Sequence, residues 1–223
     1  MERARSPFVH VYVESYLKHL EHAPDRSICS LRGKAEITYL YLSFCANCMI
    51  DDFNLLATTS RGNERPMCNE LLYLLKEELG DAEAQTVKTK IRGLIVAKTT
   101  LDPLAVIEKL RVILKERPYE FRYALRILPI ERVVPTDLEE IKRVTVELAS
   151  RIGEEETFRV TVEKRFTALH SKDLIESAAS ELKSEVNLEN PDRILLIEVL
   201  GALTGISLLK QSDILAVIKE KML

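Results

Sequence analysis

The sequence predicts a mixed α/β (α+β) protein, and three observations lead to this class. Short apolar runs that alternate with polar residues or continue for four to eight positions indicate strands. They are interleaved with longer segments in which apolar residues recur every three or four positions, as in helices. With 46% hydrophobic and 30% charged residues in a chain of 223, the composition is that of a folded protein with one or two domains.

Residues 1–48 differ in composition from the rest of the chain. They hold three of the four histidines, three of the four cysteines and four of the seven tyrosines. Two interpretations stay open: an extra helix and strand, or a natural chain that starts at Met49. Cys45 and Cys48 form a C-x-x-C without a second close pair, while Cys29 and Cys68 stand alone. The four are either incidental reduced thiols or part of a metal or redox site, and we assign no metal ligand.

From Met49 onward the pattern is regular, and residues 49–134 predict the order strand, helix, strand, strand, helix, strand. Gly80 follows the first helix as a C-terminal stop, and Asp102-Pro103 is an N-cap with proline at the first helical position. This order is the split βαβ, or ferredoxin-like, arrangement. The predicted elements are strand 53–58, helix 64–79, strands 85–88 and 94–97, helix 103–115 and strand 121–130.

A second mixed α/β half is predicted over residues 135–223, with Val134-Pro135-Thr136 as the boundary. Thr136 and Glu139 have the spacing of a capping box, which predicts a helix that ends near Gly153. The remaining predicted elements are strand 157–165, helix 171–186, turn 187–192, the apolar strand 193–200, a connection over 201–205 into strand 206–209, and a terminal helix from Ser212 or Asp213 to Met222.

The stretch 156–172 is the strongest candidate for a binding site. The predicted strand in this stretch ends at Lys164 and Arg165. The next helix begins at Lys172, with Ser171 as the expected N-cap. Cations at a strand end beside the open N–H groups of a helix favour an anion such as phosphate. The alternative, which stays open, is an ordinary solvated rim.

The composition and the absence of certain motifs exclude several classes of function. A net charge of −3 argues against a protein that coats nucleic acid non-specifically, although it permits a local basic strip. The sequence contains no G-x-G, no P-loop motif and no G-x-S-x-G. After Met49, His170 and Cys68 are the single histidine and cysteine and lie about a hundred residues apart. We therefore expect no catalytic residue, no cofactor and no enzymatic activity of the chain itself.

Particular stretches of the second half resemble the THUMP domain, an RNA-binding module of tRNA thiouridine synthetases, tRNA and rRNA methyltransferases and some pseudouridine synthases. Residues 52–215 as a whole resemble stand-alone THUMP proteins of archaea and eukaryotes, whose eukaryotic members are adaptors for N4-acetylcytidine formation in tRNA. Residues 1–48 have no counterpart in that family. The matching stretches are LLATTSRGNE (55–64), TTLDP (99–103), FRYALRILPIERVVPTDL (121–138), TFRVTVEKR (157–165), HSK (170–172), VNLENPD (186–192) and ILLIEV (194–199).

The resemblance implies a ferredoxin-like domain (49–134) followed by a THUMP domain (135–223), with residues 1–48 as an extension. It also implies that the THUMP half recognises the acceptor stem and the single-stranded 3′ CCA end of tRNA. The residues expected to contact RNA are Lys164 and Arg165 at phosphates, Ser171 and Lys172 at the helix start, His170 by stacking or hydrogen bonding, Arg159 on the strand, and Arg61, Arg126 and Arg132 along the acceptor stem. The last three would otherwise be ordinary surface charges.

Four functions follow from these expectations. The first is a cytoplasmic, non-catalytic adaptor that presents tRNA to an RNA cytidine acetyltransferase, which brings acetyl-CoA and ATP. The second is an RNA-binding subunit for another tRNA-modifying enzyme, for thiolation or methylation, acting in trans. The third is an enzyme with an unrecognised site at Cys68 or His170, and the fourth is a protein-interaction domain that does not touch RNA. None involves a membrane, because no apolar stretch of the sequence is long enough to span one.

Overall fold

The computed structural model describes residues 52–179 and 184–222. All of them fall within one compact unit that spans Cys48–Leu223. The predictions for residues 1–48, including the C-x-x-C at Cys45 and Cys48, lie outside the described residues, as does part of the helix predicted over 171–186. Within the described ranges, no helix is long and apolar enough to cross a membrane.

The first sheet has four strands in the order β2-β3-β1-β4, and all its neighbouring strands are antiparallel. The predicted alternation of strands and helices over this half is confirmed. Its first helix continues through a π-helical turn at Leu74–Glu78. The elements are β1 (Leu55–Thr59), α1 (Glu64–Tyr73), β2 (Gln85–Lys88), β3 (Leu94–Lys98), α2 (Pro103–Glu116) and β4 (Ala124–Pro129).

The second sheet has the order β5-β8-β7-β6, in which β6 and β7 are parallel and the other pairs antiparallel. Strand β6 therefore forms one edge and β5 the other. The elements are β5 (Arg132–Pro135), α3 (Leu138–Ala149), β6 (Phe158–Arg165), α4 (Ser171–Ala179), β7 (Arg193–Leu200) and β8 (Leu203–Leu209).

Three hydrophobic clusters arrange the described residues in four layers, helices on sheet on sheet on helices. The first cluster packs α1 and α2 onto one face of the first sheet, and the third packs α3 and α4 onto the outer face of the second sheet. The middle cluster joins the sheets, with Leu56 and Leu128 from the first and Leu196 and Leu209 from the second. Strand β7 is covered on both faces, which explains its continuous apolar run.

The start of α3 differs from the predicted capping box. Asp137, not Thr136, is the N-cap, and its carboxylate accepts hydrogen bonds from the N–H groups of Glu139 and Glu140. Thr136 directly follows β5, and its N–H donates to the carbonyl of Ala202 in the β7–β8 turn. The prediction failed because this contact and the 2.9 Å hydroxyl contact with Thr204 hold Thr136 against the sheet, so the helix begins one residue later.

The two ends of β8 also depart from the prediction. Only Gly201 and Ala202 separate β7 from β8, so the connection is a tight hairpin in which Gly201 has a φ of +75°. After β8 the predicted long terminal helix is absent among the described residues. The chain there makes a 3-10 turn at Gln211–Asp213 and a short helix α5 at Val217–Glu220.

Between these two pieces the backbone runs extended and returns to the first sheet. The N–H of Ile127 donates to the carbonyl of Leu215 at 2.9 Å, and the N–H of Leu215 donates back at 3.0 Å. The side chains of Leu215 and Val217 join the first hydrophobic cluster. These long-range contacts, which a local pattern does not encode, prevent the terminal helix. The division at residue 134 into two domains stays a prediction.

Candidate functional site

The candidate site lies where β6 ends at the edge of the second sheet, over residues 164–172, and we refer to it as the strand-end site. Successive strand residues point to opposite faces, so Lys164 and Arg165 point apart. Lys164 is exposed, and its Nζ donates to the carbonyl of Leu169 at 2.8 Å across the loop that follows. An ammonium group has three donors, so Lys164 can close this loop and still bind an anion.

Arg165 points the other way and is engaged within the protein. Its Nη1 donates to Oε2 of Glu198 at 2.8 Å, and only 2% of the Glu198 side chain is exposed. Burial raises the pKa of the Glu198 carboxyl, and the nearby Arg165 guanidinium opposes that rise, with a further contribution from the charge of Arg126. Arg165 thus bonds this buried carboxylate directly, whereas Arg126 acts on it through its charge alone.

The loop after β6 leads into α4. The helix begins at Ser171, and its first backbone hydrogen bond runs from the Leu174 N–H to the His170 carbonyl at 3.2 Å. His170 therefore occupies the cap position, one residue before the predicted Ser171. His170 and Lys172 are both exposed. The ion pair of Lys172 with Glu176, at 3.5 Å, joins side chains that are 80% and 65% exposed, so it holds Lys172 only weakly.

Sequence reasoning missed Phe166, the first residue of this loop. Its side chain is 76% exposed. Its φ of +54° makes it the single non-glycine residue with positive φ among the described residues. Positive φ at a bulky residue is uncommon and is a recognised mark of functional loops. No local sequence signal at Phe166 predicts it.

A second group of cations lies on the first sheet, where the loop after β1 meets the loop between β2 and β3. The carboxylate of Glu64 joins these loops, accepting the N–H of Gly62 at 3.2 Å and of Gly93 at 2.7 Å. These backbone donors, that of Gly93 foremost, lower the pKa of Glu64 to about 2. We call the exposed cations around it the front basic cluster: Arg61, Arg65, Lys88, Lys90 and Arg92.

Only Arg61 of this cluster was predicted to contact RNA. The signal for three others was present in the sequence, since Lys88, Lys90 and Arg92 recur at every second position. Lys88 lies 4.0 Å from Glu64. Within the described part of the chain, the side chains of Arg61, Lys90 and Arg92 make no ion pair or hydrogen bond.

Two predicted residues lie away from the strand-end site. Arg159 is near the opposite end of β6 and donates to the carbonyl of Leu188 at 2.8 Å. Arg132 lies on β5, at the other edge of the sheet, and pairs with Glu147 at 3.2 Å. Both are engaged by their own surroundings, so the structure does not bring them together with Lys164.

Nothing in the described ranges suggests a metal centre, since they contain no group of three acidic, histidine or cysteine side chains suited to hold an ion. Cys68 is half-buried, and this burial raises the pKa of its thiol, which disfavours the nucleophilic thiolate. The polar and aromatic side chains of the strand-end site are three cations, two hydroxyls and two rings. Their chemistry suits binding of a polyanion.

Comparison with known proteins is consistent with this arrangement. The profile of the THUMP domain matches residues 135–209, which run from the last residue of β5 to the end of β8 and include the whole strand-end site. The chain therefore contains a THUMP domain, and its presence indicates RNA binding in tRNA modification. No curated protein matches the sequence.

Two solved structures share the fold. The structure of TrmN from Thermus thermophilus aligns with a TM-score of 0.51 at 16% identity, over 70% of this chain and 45% of that chain. PH1313 from Pyrococcus horikoshii aligns with a TM-score of 0.52 at 20% identity, over 71% and 54%. The chain thus spans about half the length of the solved chains it matches. At these identities the likeness concerns the fold alone.

Proposed function

We propose that the protein is a non-catalytic tRNA-binding adaptor, which holds the acceptor stem and 3′ CCA end and presents the tRNA to an RNA cytidine acetyltransferase for N4-acetylcytidine formation. We also propose that residues 49–134 are a ferredoxin-like domain that supports the THUMP domain. The observation that carries the proposal is the strand-end site, because it lies inside the THUMP match and keeps Lys164 and Lys172 exposed beside a helix start.

The geometry suits a single strand with a free end. Lys164 and Lys172 flank a short loop, and the first N–H groups of α4 add donors that favour phosphate oxygens. Arg165 supports the site from within by its contact with Glu198. We therefore assign phosphate contacts to Lys164 and Lys172 and a positioning role to Arg165. Ser171 and His170 complete the helix start.

The affinity is expected to be modest. The chain has a net charge of −3, so attraction for RNA comes from local groups of cations and not from the whole surface. A few phosphate contacts correspond to a Kd of roughly micromolar at physiological salt. The front basic cluster supplies a second group of cations for the duplex part of the acceptor stem. We leave Arg159 and Arg132 out of the proposed interface.

In this mechanism the chain acts as a ruler. The 3′ end is held at a fixed site, which places a distant cytidine within reach of the partner enzyme. The partner supplies acetyl-CoA and ATP, and the adaptor supplies position. A subunit serving a thiolation or methylation enzyme in trans would use the same site, so the partner must be identified separately.

The first test is a salt-titrated gel shift with intact tRNA and the same tRNA trimmed of its CCA. The Lys164→Ala/Lys172→Ala double variant keeps Arg165, whose removal would leave Glu198 buried without its partner. We expect trimming and the double variant each to weaken binding several-fold, and the variant to reduce the slope of log K against log salt by roughly 1–2. A Lys109→Ala/Lys115→Ala control on α2, with the same charge change, should bind like wild type.

The outcomes separate the candidates. Absence of tRNA binding at low salt would contradict the RNA-binding proposal and favour a protein-interaction domain. Equal binding of intact and trimmed tRNA would show that the protein contacts another part of the tRNA than the CCA end. Modification of tRNA by the purified chain alone would overturn the non-catalytic role. Co-purification with an acetyltransferase, together with loss of acetylcytidine when the gene is deleted, would support the adaptor, whereas co-purification with a thiolation or methylation enzyme would favour the alternative.

A further inference from the structure

Phe166 is a large aromatic side chain that the fold leaves in solvent. It is 76% exposed and belongs to none of the three hydrophobic clusters. Burying a phenylalanine is favourable, and an exposed one gives up that stabilisation. The side chain follows directly after Lys164 and Arg165, so this exposed ring lies within the strand-end site.

The backbone at Phe166 adds a second unfavourable feature. Its φ of +54° is in the left-handed region, which bulky residues rarely adopt. The β7–β8 turn accompanies this conformation: the Gly201 N–H donates to the Arg165 carbonyl at 2.9 Å, and Phe166 Cβ lies 3.9 Å from where a Gly201 Cβ would be. A glycine at position 166 would fit this backbone without strain. The fold therefore does not require phenylalanine here.

We propose that Phe166 is a platform on which one base of a single-stranded RNA stacks, while Lys164 and the start of α4 hold the adjoining phosphates. This inference rests on the proposed function and adds a specific recognition residue to it. Every base has a π face, so an aromatic ring can bind a strand end without requiring a particular sequence. The cations at 164 and 172 flank the ring in sequence, in the combination typical of single-strand binding.

The surroundings favour a base over a protein partner. Protein hot spots are aromatic anchors set within a contiguous contact surface. The exposed apolar residues Val186 and Leu188 lie near the opposite end of β6, since Val186 bridges Phe158 and Leu188 contacts Arg159. Phe166 thus lies apart from these two apolar residues, next to the exposed cations of the strand-end site. Loss of binding to a protein partner, with RNA binding intact, would instead indicate a docking surface.

The experiment compares wild type, Phe166→Gly and Phe166→Tyr for affinity to intact tRNA and for thermal stability. We expect Phe166→Gly to weaken tRNA binding between about fivefold and a hundredfold, because a stacking contact is lost. Its Tm should be no lower than that of wild type, because glycine relieves the positive φ. Phe166→Tyr keeps an aromatic face and should bind within about twofold of wild type. A residue that only supported the fold would lose stability on change to glycine.

A spectroscopic signal tests the contact directly. Replacing the 3′-terminal adenine of the tRNA by 2-aminopurine gives a base whose fluorescence reports stacking. We expect its emission to change on binding to wild type and to Phe166→Tyr, and to stay unchanged at saturating Phe166→Gly. If wild type binds tRNA and Phe166→Gly binds equally well with the same emission, the inference is wrong and the proposed function stands. If wild type binds no tRNA, both are wrong.

Discussion

Arg165 serves the fold before it serves any ligand. A guanidinium that is 28% exposed pairs with a carboxylate that is 2% exposed, so loss of the guanidinium leaves a buried charge without its partner. Exposed cations such as Lys172 have no such role. Loss of RNA binding on mutation of Arg165 would therefore report on folding as much as on contact, and the lysines are the cleaner probes.

This distinction gives a prediction. We expect Arg165→Met to lower the free energy of unfolding by about 3 kcal/mol, because Glu198 is left without its main partner. The double variant Arg165→Met/Glu198→Met should recover most of that loss, since no charge remains buried. Urea denaturation of the two variants measures both values. A double variant as unstable as the single one would contradict the role assigned to the pair.

Glu64 leads to a prediction about pH. Its pKa is lowered to about 2, from an ordinary value of 4.5, chiefly by the Gly93 N–H. A lowered pKa in the folded state stabilises the protein at pH values above 4.5, and that stabilisation is lost as the pH falls towards 2. Wild type should therefore be more stable than Glu64→Gln at pH 7, and the difference should shrink between pH 4.5 and 2. Urea midpoints of both proteins across this range are the measurement. A constant difference would show that the hydrogen bonds, not the charge, matter.

At the residue scale, the sequence predicts which side chains form the site better than it predicts which residues they contact. The cations at the end of β6 can be recognised from the sequence pattern, and in the structure Lys164, Arg165 and Lys172 lie at the two ends of one loop. The pairing of Arg165 with Glu198 joins residues on different strands and needs the β6–β7 register. The positive φ of Phe166 accompanies a hydrogen bond from the Gly201 N–H to the Arg165 carbonyl, and Gly201 lies 35 positions from Phe166. Neither is encoded locally.

Elements whose signals are local were predicted well. The Asp102-Pro103 start of α2 is confirmed, with Asp102 Oδ2 accepting the Ala105 N–H at 2.9 Å. Strand β7 has the predicted bounds. The errors lie where a distant segment competes, as at Thr136, which bonds Ala202 and Thr204, and at Leu215, which pairs with Ile127 in place of continuing a helix. Capping residues predicted the start of a helix correctly only where those residues make no contacts with a strand.

The cap of α2 makes the next prediction. Asp102→Ala removes the acceptor of the Ala105 N–H at a helix start, which should lower the free energy of unfolding by about 1 kcal/mol. Asp102→Asn keeps a capping oxygen and should cost only a few tenths of that amount. Thermal unfolding of the pair separates the cap from the charge. Equal losses in the two variants would mean that the negative charge at the helix N-terminus matters more than the hydrogen bond.

At the scale of the molecule, the two halves share a core. The middle cluster takes side chains from both sheets, and Ser207 of the second sheet bonds the Pro129 carbonyl of the first at 2.9 Å. Leu215 and Val217, which follow the second sheet in the chain, complete the first cluster. The proposed RNA surface combines the front basic cluster of the first sheet with the strand-end site of the second, so it depends on this contact between sheets.

Gly205 tests whether that contact is cooperative. A Cβ at position 205 would lie 3.1 Å from Cγ2 and 3.2 Å from Cδ1 of Ile130, which directly follows β4 of the first sheet. We expect Gly205→Ala to force the sheets apart slightly and to lower the free energy of unfolding by about 1–3 kcal/mol. Gly153→Ala is the matched control, because its Cβ would lie an ordinary 3.5 Å from Glu156 Cγ, and the change should stay within about 0.5 kcal/mol.

The readout is amide hydrogen exchange on both sheets. If they unfold as one unit, Gly205→Ala should reduce protection by the same free energy at the slowest amides of β1 and of β7. The reason is that the middle cluster stabilises both sheets, so a weaker cluster lowers the free energy of opening of each sheet by the same amount. Reduced protection on β7 alone, with β1 unchanged, would show that the halves unfold independently. The strand-end site would then be expected to keep its tRNA affinity when expressed without the first sheet.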